Sequence, residues 1–193
     1  MRVIKENMYH DKPIYIIGSG YSRYYYDLDR VRGNITIACN YEMKLAPWAT
    51  FGVFLDRVQD WNRPYIESFP GSVFTRESSR YTGSNAVILP TINDRMGNSF
   101  SGVCCDNMTG FFALNVALLL TTGNIILIGF DLDSRDGHCY HKDHINYDYT
   151  GKIIYKTTAN KGTVQKFDQI FGGQKDRIFK ASDSGLLDLK VMK

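Results

Sequence analysis

Apolar residues fall along this chain in short dense runs, each ended by a small or polar residue. The first is Ile14-Tyr15-Ile16-Ile17, followed at once by Gly18-Ser19-Gly20-Tyr21-Ser22. Ile35-Thr36-Ile37-Ala38-Cys39 ends at Asn40, and Phe51-Gly52-Val53-Phe54-Leu55 ends at Asp56. Ile125-Ile126-Leu127-Ile128-Gly129 ends in Phe130-Asp131. Unbroken runs of this length predict strands covered on both faces, the habit of parallel sheets. Shorter runs at 72–75, at 86–89 (stopped by Pro90) and at 177–180 predict further strands. The stretch 111–120 is apolar almost all round and predicts a buried helix, with Thr109 or Asn107 as its N-cap and Gly123 as its stop. Val164, Phe167, Ile170 and Phe171 recur at helical spacing and predict a second helix over 163–171.

Helix, short turn, buried strand is half of a βαβ unit. The pattern therefore predicts an α/β fold: a single Rossmann-like domain with a mostly parallel sheet covered by helices, spanning residues 1–193. Ligands of such sheets bind beyond the carboxyl ends of the strands. Those ends are Gly18-Ser19-Gly20, Asn40, Asp56, Asp131 and Ser182-Asp183-Ser184. After the first strand, two glycines permit a tight turn with bare N–H groups, and a helix opening near Ser22 would add its positive end. Together these suit an anion such as a nucleotide phosphate. The polar stretch 93–106 predicts a long loop of functional type.

Composition narrows the picture. The chain has 193 residues, enough for one well-cored domain. A formal net charge of +3 does not indicate nucleic acid as a partner, but it suits a small anionic ligand. The four cysteines form no C-x-x-C pair, and no long apolar segment opens or spans the chain, so the expectation is a cytoplasmic protein with reduced thiols and no membrane span. A homo-oligomer is compatible with these numbers. Aromatic content is high at 13%, and Tyr24-Tyr25-Tyr26, Trp48 and Trp61 are candidates to stack on a base or sugar.

The segment 131–144 holds three of the four histidines together with Asp131, Asp133 and Asp136. Histidine near its ordinary pKa removes a proton from a hydroxyl at neutral pH, so His141 or His144 is the candidate base. The aspartates, Asp131 and Asp133 first, offer oxygen ligands for Mg²⁺ bridging a diphosphate. Arg23, Arg57, Arg95 and Lys142 are candidates to neutralise a phosphate leaving group.

The order of these motifs resembles the sialyltransferase-like Rossmann superfamily. Its bacterial sialyltransferases carry a strand leading into G-[NS]-G-x-S, a strand ending in Cys-Asn, a [ST]-G opening a buried helix, and a strand ending in Gly-x-Asp. Here these are Gly18-Ser19-Gly20-Tyr21-Ser22, Cys39-Asn40, Thr109-Gly110 and Gly129-Phe130-Asp131. The same layout resembles the hydroxymethylpterin diphosphokinase-like proteins, which have Asp at the third strand tip, as Asp56 is here. The resemblance implies that Gly18, Ser19, Gly20, Asn40, Thr109 and Gly110 line a nucleotide or nucleotide-sugar site; Ser22, Asp56, Ser182 and Ser184 join them as candidates from their place at the strand tips, and Asp131 is a catalytic candidate. The stretch 156–161, where the sialyltransferases place their histidine, contains none. The implied function is nucleotide-dependent transfer, first a glycosyltransferase with a nucleotide-sugar donor and a hydroxyl acceptor. The alternatives are a Mg²⁺-dependent pyrophosphokinase acting on a pterin-like hydroxyl, and a non-catalytic nucleotide or nucleotide-sugar binder.

Overall fold

A computed structural model describes residues 4–132, 161–183 and 185–192. Its centre is an eight-stranded sheet in which every pairing is parallel. The strands are β1 (Ile14–Ile17), β2 (Ile35–Cys39), β3 (Phe51–Val53), β4 (Ser72–Thr75), β5 (Ala86–Ile88), β8 (Ile125–Ile128), β9 (Ile178–Lys180) and β10 (Lys190–Val191). A separate two-stranded sheet pairs β6 (Thr91–Ile92) with β7 (Val103–Cys104). The helices are α1 (Glu42–Leu45), α2 (Arg63–Glu67), α3 (Thr109–Leu120) and α4 (Lys161–Phe171). The fold is thus the α/β, Rossmann-like arrangement that the runs of apolar residues predict.

Strand order is β10-β9-β8-β1-β2-β3-β4-β5. The chain builds outward from β1 to β5, then returns to place β8 on the other side of β1 and builds outward again. The order reverses between β1 and β8, where Ile14 lies opposite Ile125 and Ile17 opposite Ile128. At such a reversal the loops leave the carboxyl edge in opposite directions and open a crevice.

Alternation along the strands feeds two cores. Ile14, Ile16, Ile37, Phe51, Val53, Ile125 and Leu127 face α3 and α4, whose Phe111, Phe112, Phe167 and Phe171 fill the space. Ile17, Ala38 and Ile128 face the other side, against Met43 of α1 and Tyr65 and Ile66 of α2. Gly52 of β3 leaves room for the Met43 thioether, which a Cβ there would strike. Nine of the twelve α3 residues are buried, so its lack of a polar face follows from its position.

Asn115 interrupts the apolar run of α3 and is fully buried. Its Oδ1 accepts from the amides of Gly97 (2.7 Å) and Cys104 (2.7 Å), and its Nδ2 donates to the Gly97 carbonyl (2.9 Å). That side chain pins the 93–106 stretch. The predicted functional loop is accordingly corrected in part, since it contains β7 and is held to α3.

Three local expectations also change. No regular helix opens at Ser22; a five-residue 3₁₀ turn (Tyr21–Tyr25) stands there. Tyr26 is extended, and Asp27 then captures the Asp29 amide at 3.0 Å to start a second short turn (Leu28–Val31), so no long helix propagates. The N-cap of α3 is Met108, not Thr109 or Asn107, and no side chain caps it. The helix ends at Leu120 with Thr121 as C-cap, ahead of Gly123. Among the described residues, no helix is long and apolar enough to cross a membrane.

Candidate functional site

The loop after β1 lies directly on the loop after β8. The Gly18 amide donates to the Ile128 carbonyl (2.8 Å) and the Gly20 amide to the Gly129 carbonyl (2.8 Å). The Ser22 amide donates to Oδ2 of Asp131 (2.6 Å). Closeness explains the glycines. A Cβ on Gly20 would sit 2.5 Å from the Gly129 carbonyl oxygen, and Gly129 itself has φ +69°. The turn is therefore used mainly to join two strands. The expected row of bare amides shrinks to a smaller set, with the Ser19 N–H carrying no backbone partner among the described residues.

Asp131 is 2% exposed. Its carboxylate holds the β1 loop, while its own carbonyl accepts from the Leu186 amide at 2.7 Å. Gly185, at φ +92°, lies so close that a Cβ there would sit 2.5 Å from the Asp131 backbone. One residue thus ties together the loops that follow β1, β8 and β9. Ser182 belongs to the last of these and is partly exposed.

On the other side of β1, Asn40 ends β2 in the left-handed region (φ +52°), a conformation its short amide side chain tolerates better than most. Thr109 Oγ1 donates to Asn40 Oδ1 at 3.3 Å. Gly110 follows, and the Phe130 ring lies between it and Gly18: a Cβ on Gly110 would be 2.8 Å from that ring, and one on Gly18 2.7 Å. The ring explains both glycines. The amides of Phe111 and Phe112 turn back to the Met108 carbonyl. Those of Thr109 and Gly110 have no backbone partner among the described residues. The N-terminus of this twelve-residue helix supplies the positive end that the sequence led us to expect at Ser22.

Two charged residues brace this edge. Arg76, just beyond β4, donates from Nε to the Leu55 carbonyl (3.1 Å) and from a terminal nitrogen to Asn107 Oδ1 (3.1 Å). Arg23 donates from Nε to Oε2 of Glu42 at 2.7 Å, and Glu42 is fully buried. Asp56 is exposed beyond β3. Burial first, and then the Asp56 charge, push the Tyr65 phenol well above its usual pKa. Burial likewise raises the Cys39 thiol, with Glu42 adding to it, and pushes Cys104 up to about 11, helped by Cys105. These thiols are free and buried.

Gly18, Ser19, Gly20, Ser22, Asn40, Thr109, Gly110 and Asp131 therefore converge on the carboxyl edge around the β1/β8 reversal. Tyr24 and Tyr25 are 51% and 70% exposed, with ring centroids 5.4 Å apart, whereas Tyr26 packs on the second core. Trp48 precedes β3 on its amino-terminal side and lies under Arg32 rather than at this edge. Arg57 and Arg95 are exposed. His141, His144, Asp133, Asp136, Lys142 and Ser184 lie outside the described residues. Among the described residues no group of three His, Cys, Asp or Glu side chains could hold a metal. A concavity of about 450 Å³ lined by Lys175, Asp176, Asp188, Leu189 and Lys190 lies at the opposite edge, where β9 and β10 begin. It is remote from this chemistry.

Phe130, Glu42 and Arg76 were not singled out by the sequence. Phe130 lies within the Gly-x-Asp string, and no local signal marks it, since the glycines its ring crowds, Gly18 and Gly110, are distant in the chain. Glu42 and Arg76 act through partners distant in the chain, which no local spacing reveals. No family model, no curated protein and no solved structure matches this chain.

Proposed function

We propose that this protein is a nucleotide-dependent transferase, a glycosyltransferase that uses a nucleotide-sugar donor and a hydroxyl acceptor, as the resemblance to the sialyltransferase-like group implies. The observation that carries the reading is the junction at the strand-order reversal. There the side chains of Asn40 and Thr109 meet at 3.3 Å beside the opening of α3 and the glycine loop. Amides of Ser19, Thr109 and Gly110, with the positive end of α3, favour the charge of a departing phosphate. Amide and hydroxyl groups of Asn40 and Thr109 are suited to a base or ribose. Asp131 is a positioning residue in this reading, because its Oδ2 is spent on the Ser22 amide. His141 or His144 remains the candidate base for the acceptor hydroxyl.

Magnesium belongs to the second reading, not to the sugar-transfer step. Of the pair Asp131 and Asp133, Asp131 has one oxygen already bound to the glycine loop. Pyrophosphoryl transfer to a hydroxyl is the second reading, favoured by the exposed Asp56 at the β3 tip.

A thermal-shift panel of CMP, UDP, GDP, ATP and GTP, with and without Mg²⁺, tests both. At a hundredfold excess over Kd a ligand contributes about 2.7 kcal/mol. For a chain of this size that raises Tm by about 5–10 °C. A metal-independent cytidine or uridine response supports sugar transfer. A Mg²⁺-dependent ATP or GTP response supports pyrophosphoryl transfer instead. Nucleotide binding without turnover on any acceptor supports the binder, and no response to any nucleotide refutes the whole reading.

A further inference from the structure

We infer that Arg23, aimed by the buried carboxylate of Glu42, is an anion receptor of the crevice, taking the phosphate oxygens of a diphosphate. The inference rests on the transferase reading only in what the anion is attached to.

Arg23 follows the glycine loop, and its backbone is packed so closely on the β8 loop that a Cβ on Gly129 would lie 2.6 Å from the Arg23 Cβ. Its side chain then reaches the other way, to Glu42 on α1, just beyond the β2 tip. The side chain thus runs from the loop after β8 to α1, the elements that follow the two neighbours of β1 in the sheet. A guanidinium offers five N–H donors, and Glu42 engages the one on Nε. The two terminal nitrogens carry no protein partner among the described residues, although only 17% of the side chain is exposed. These nitrogens still reach solvent, so they are open to an incoming ligand. Phosphate oxygens fit the planar fork, and a cation already held by a buried carboxylate loses little freedom on binding them.

Glu42 has the second role of fixing orientation. It is fully buried, so it cannot swing aside, and its charge offsets that of Arg23. What recognises the ligand is the planar fork of N–H donors, which fits phosphate oxygens and not a neutral sugar.

The test uses inorganic pyrophosphate as probe, with calorimetric titration of the whole protein as wild type, Arg23→Lys and Arg23→Gln. Arg23→Lys keeps a cation beside Glu42 and so protects the fold, yet it loses the fork. Pyrophosphate affinity is expected to fall at least fivefold in Arg23→Lys and at least tenfold in Arg23→Gln. A variant-free readout accompanies it. The ¹⁵Nε–H resonance of Arg23, identified by its loss in Arg23→Lys, is expected to shift on pyrophosphate titration of the wild type. Absence of pyrophosphate binding, affinities within twofold in both variants, or an unmoved resonance each overturns the inference. CMP and ATP titrated in parallel separate the two ideas. Loss of pyrophosphate binding in the variants with no nucleotide preference in the wild type keeps the anion receptor and removes the nucleotide-transfer reading. Nucleotide binding untouched by either variant does the reverse.

Discussion

Replacing Asn115 with Leu removes a polar group from the apolar centre of α3, and it is expected to destabilise the protein. Asn115 makes three hydrogen bonds to backbone groups of Gly97 and Cys104, at 2.7, 2.7 and 2.9 Å, and is itself fully buried. A hydrogen bond contributes about 1 kcal/mol net, but a buried donor or acceptor left unmatched costs about 1–3 kcal/mol. Leucine leaves two amides and one carbonyl unmatched. It returns about 1–2 kcal/mol through apolar burial. The balance is a loss of about 3 kcal/mol. With a urea m-value of about 2 kcal/mol/M, the unfolding midpoint falls by about 1.5 M at unchanged m. Tm falls by about 6–12 °C. Hydrogen exchange at the Gly97 and Cys104 amides accelerates in the folded state. A midpoint within 0.3 M of wild type (roughly 0.6 kcal/mol at that slope), or unchanged exchange at those two amides, would refute the reasoning.

Gly20→Ala is expected to cost about 3 kcal/mol, because its Cβ would press on the Gly129 carbonyl at 2.5 Å and on Asp131 Oδ2 at 2.8 Å, neither the end of a flexible chain; thermal unfolding measures it. Asp131→Ala strips the Ser22 amide of its partner, so about 2 kcal/mol is lost and Ser22 becomes the fastest newly exchanging amide of the loop; unchanged protection there would contradict the latch. Cys39, Cys104 and Cys105 are buried, with the Cys104 thiol pushed up to about 11 by burial. Burial shields all three from reagent, and peptide-level mass spectrometry is expected to find them unalkylated by iodoacetamide until denaturant is added.

The central strands were legible because each is nearly all apolar, whereas the two-residue β6, β7 and β10 are too short to leave a pattern. A four-residue run such as Ile125–Ile128 has no polar face to mistake for a surface. The strand tips were legible too, since Gly18, Asn40 and Asp131 all end such runs. What the loop amides do was not legible. Ser22 and Asp131 stand far apart in the chain, and a glycine turn reads the same whether its N–H groups face a phosphate or a neighbouring carbonyl. Arg23 read as a free cation for a similar reason, since only the folded chain brings it to Glu42. No role for Asn115 was legible within the apolar run 111–120, because its partners belong to another segment. Local pattern specifies which groups exist, and tertiary contact decides which of them are already spent.

The pairing of β1 with β8 governs how the chain must be made. Ile14 leaves the ribosome early, but the segment that covers one of its flanks begins only at Ile125. At a synthesis rate of about 5–20 residues per second, β1 waits several seconds with that flank bare. A nascent chain halted between β5 and β8 displays an open hydrophobic ribbon of five strands, of the kind that chaperones hold and that aggregates recruit.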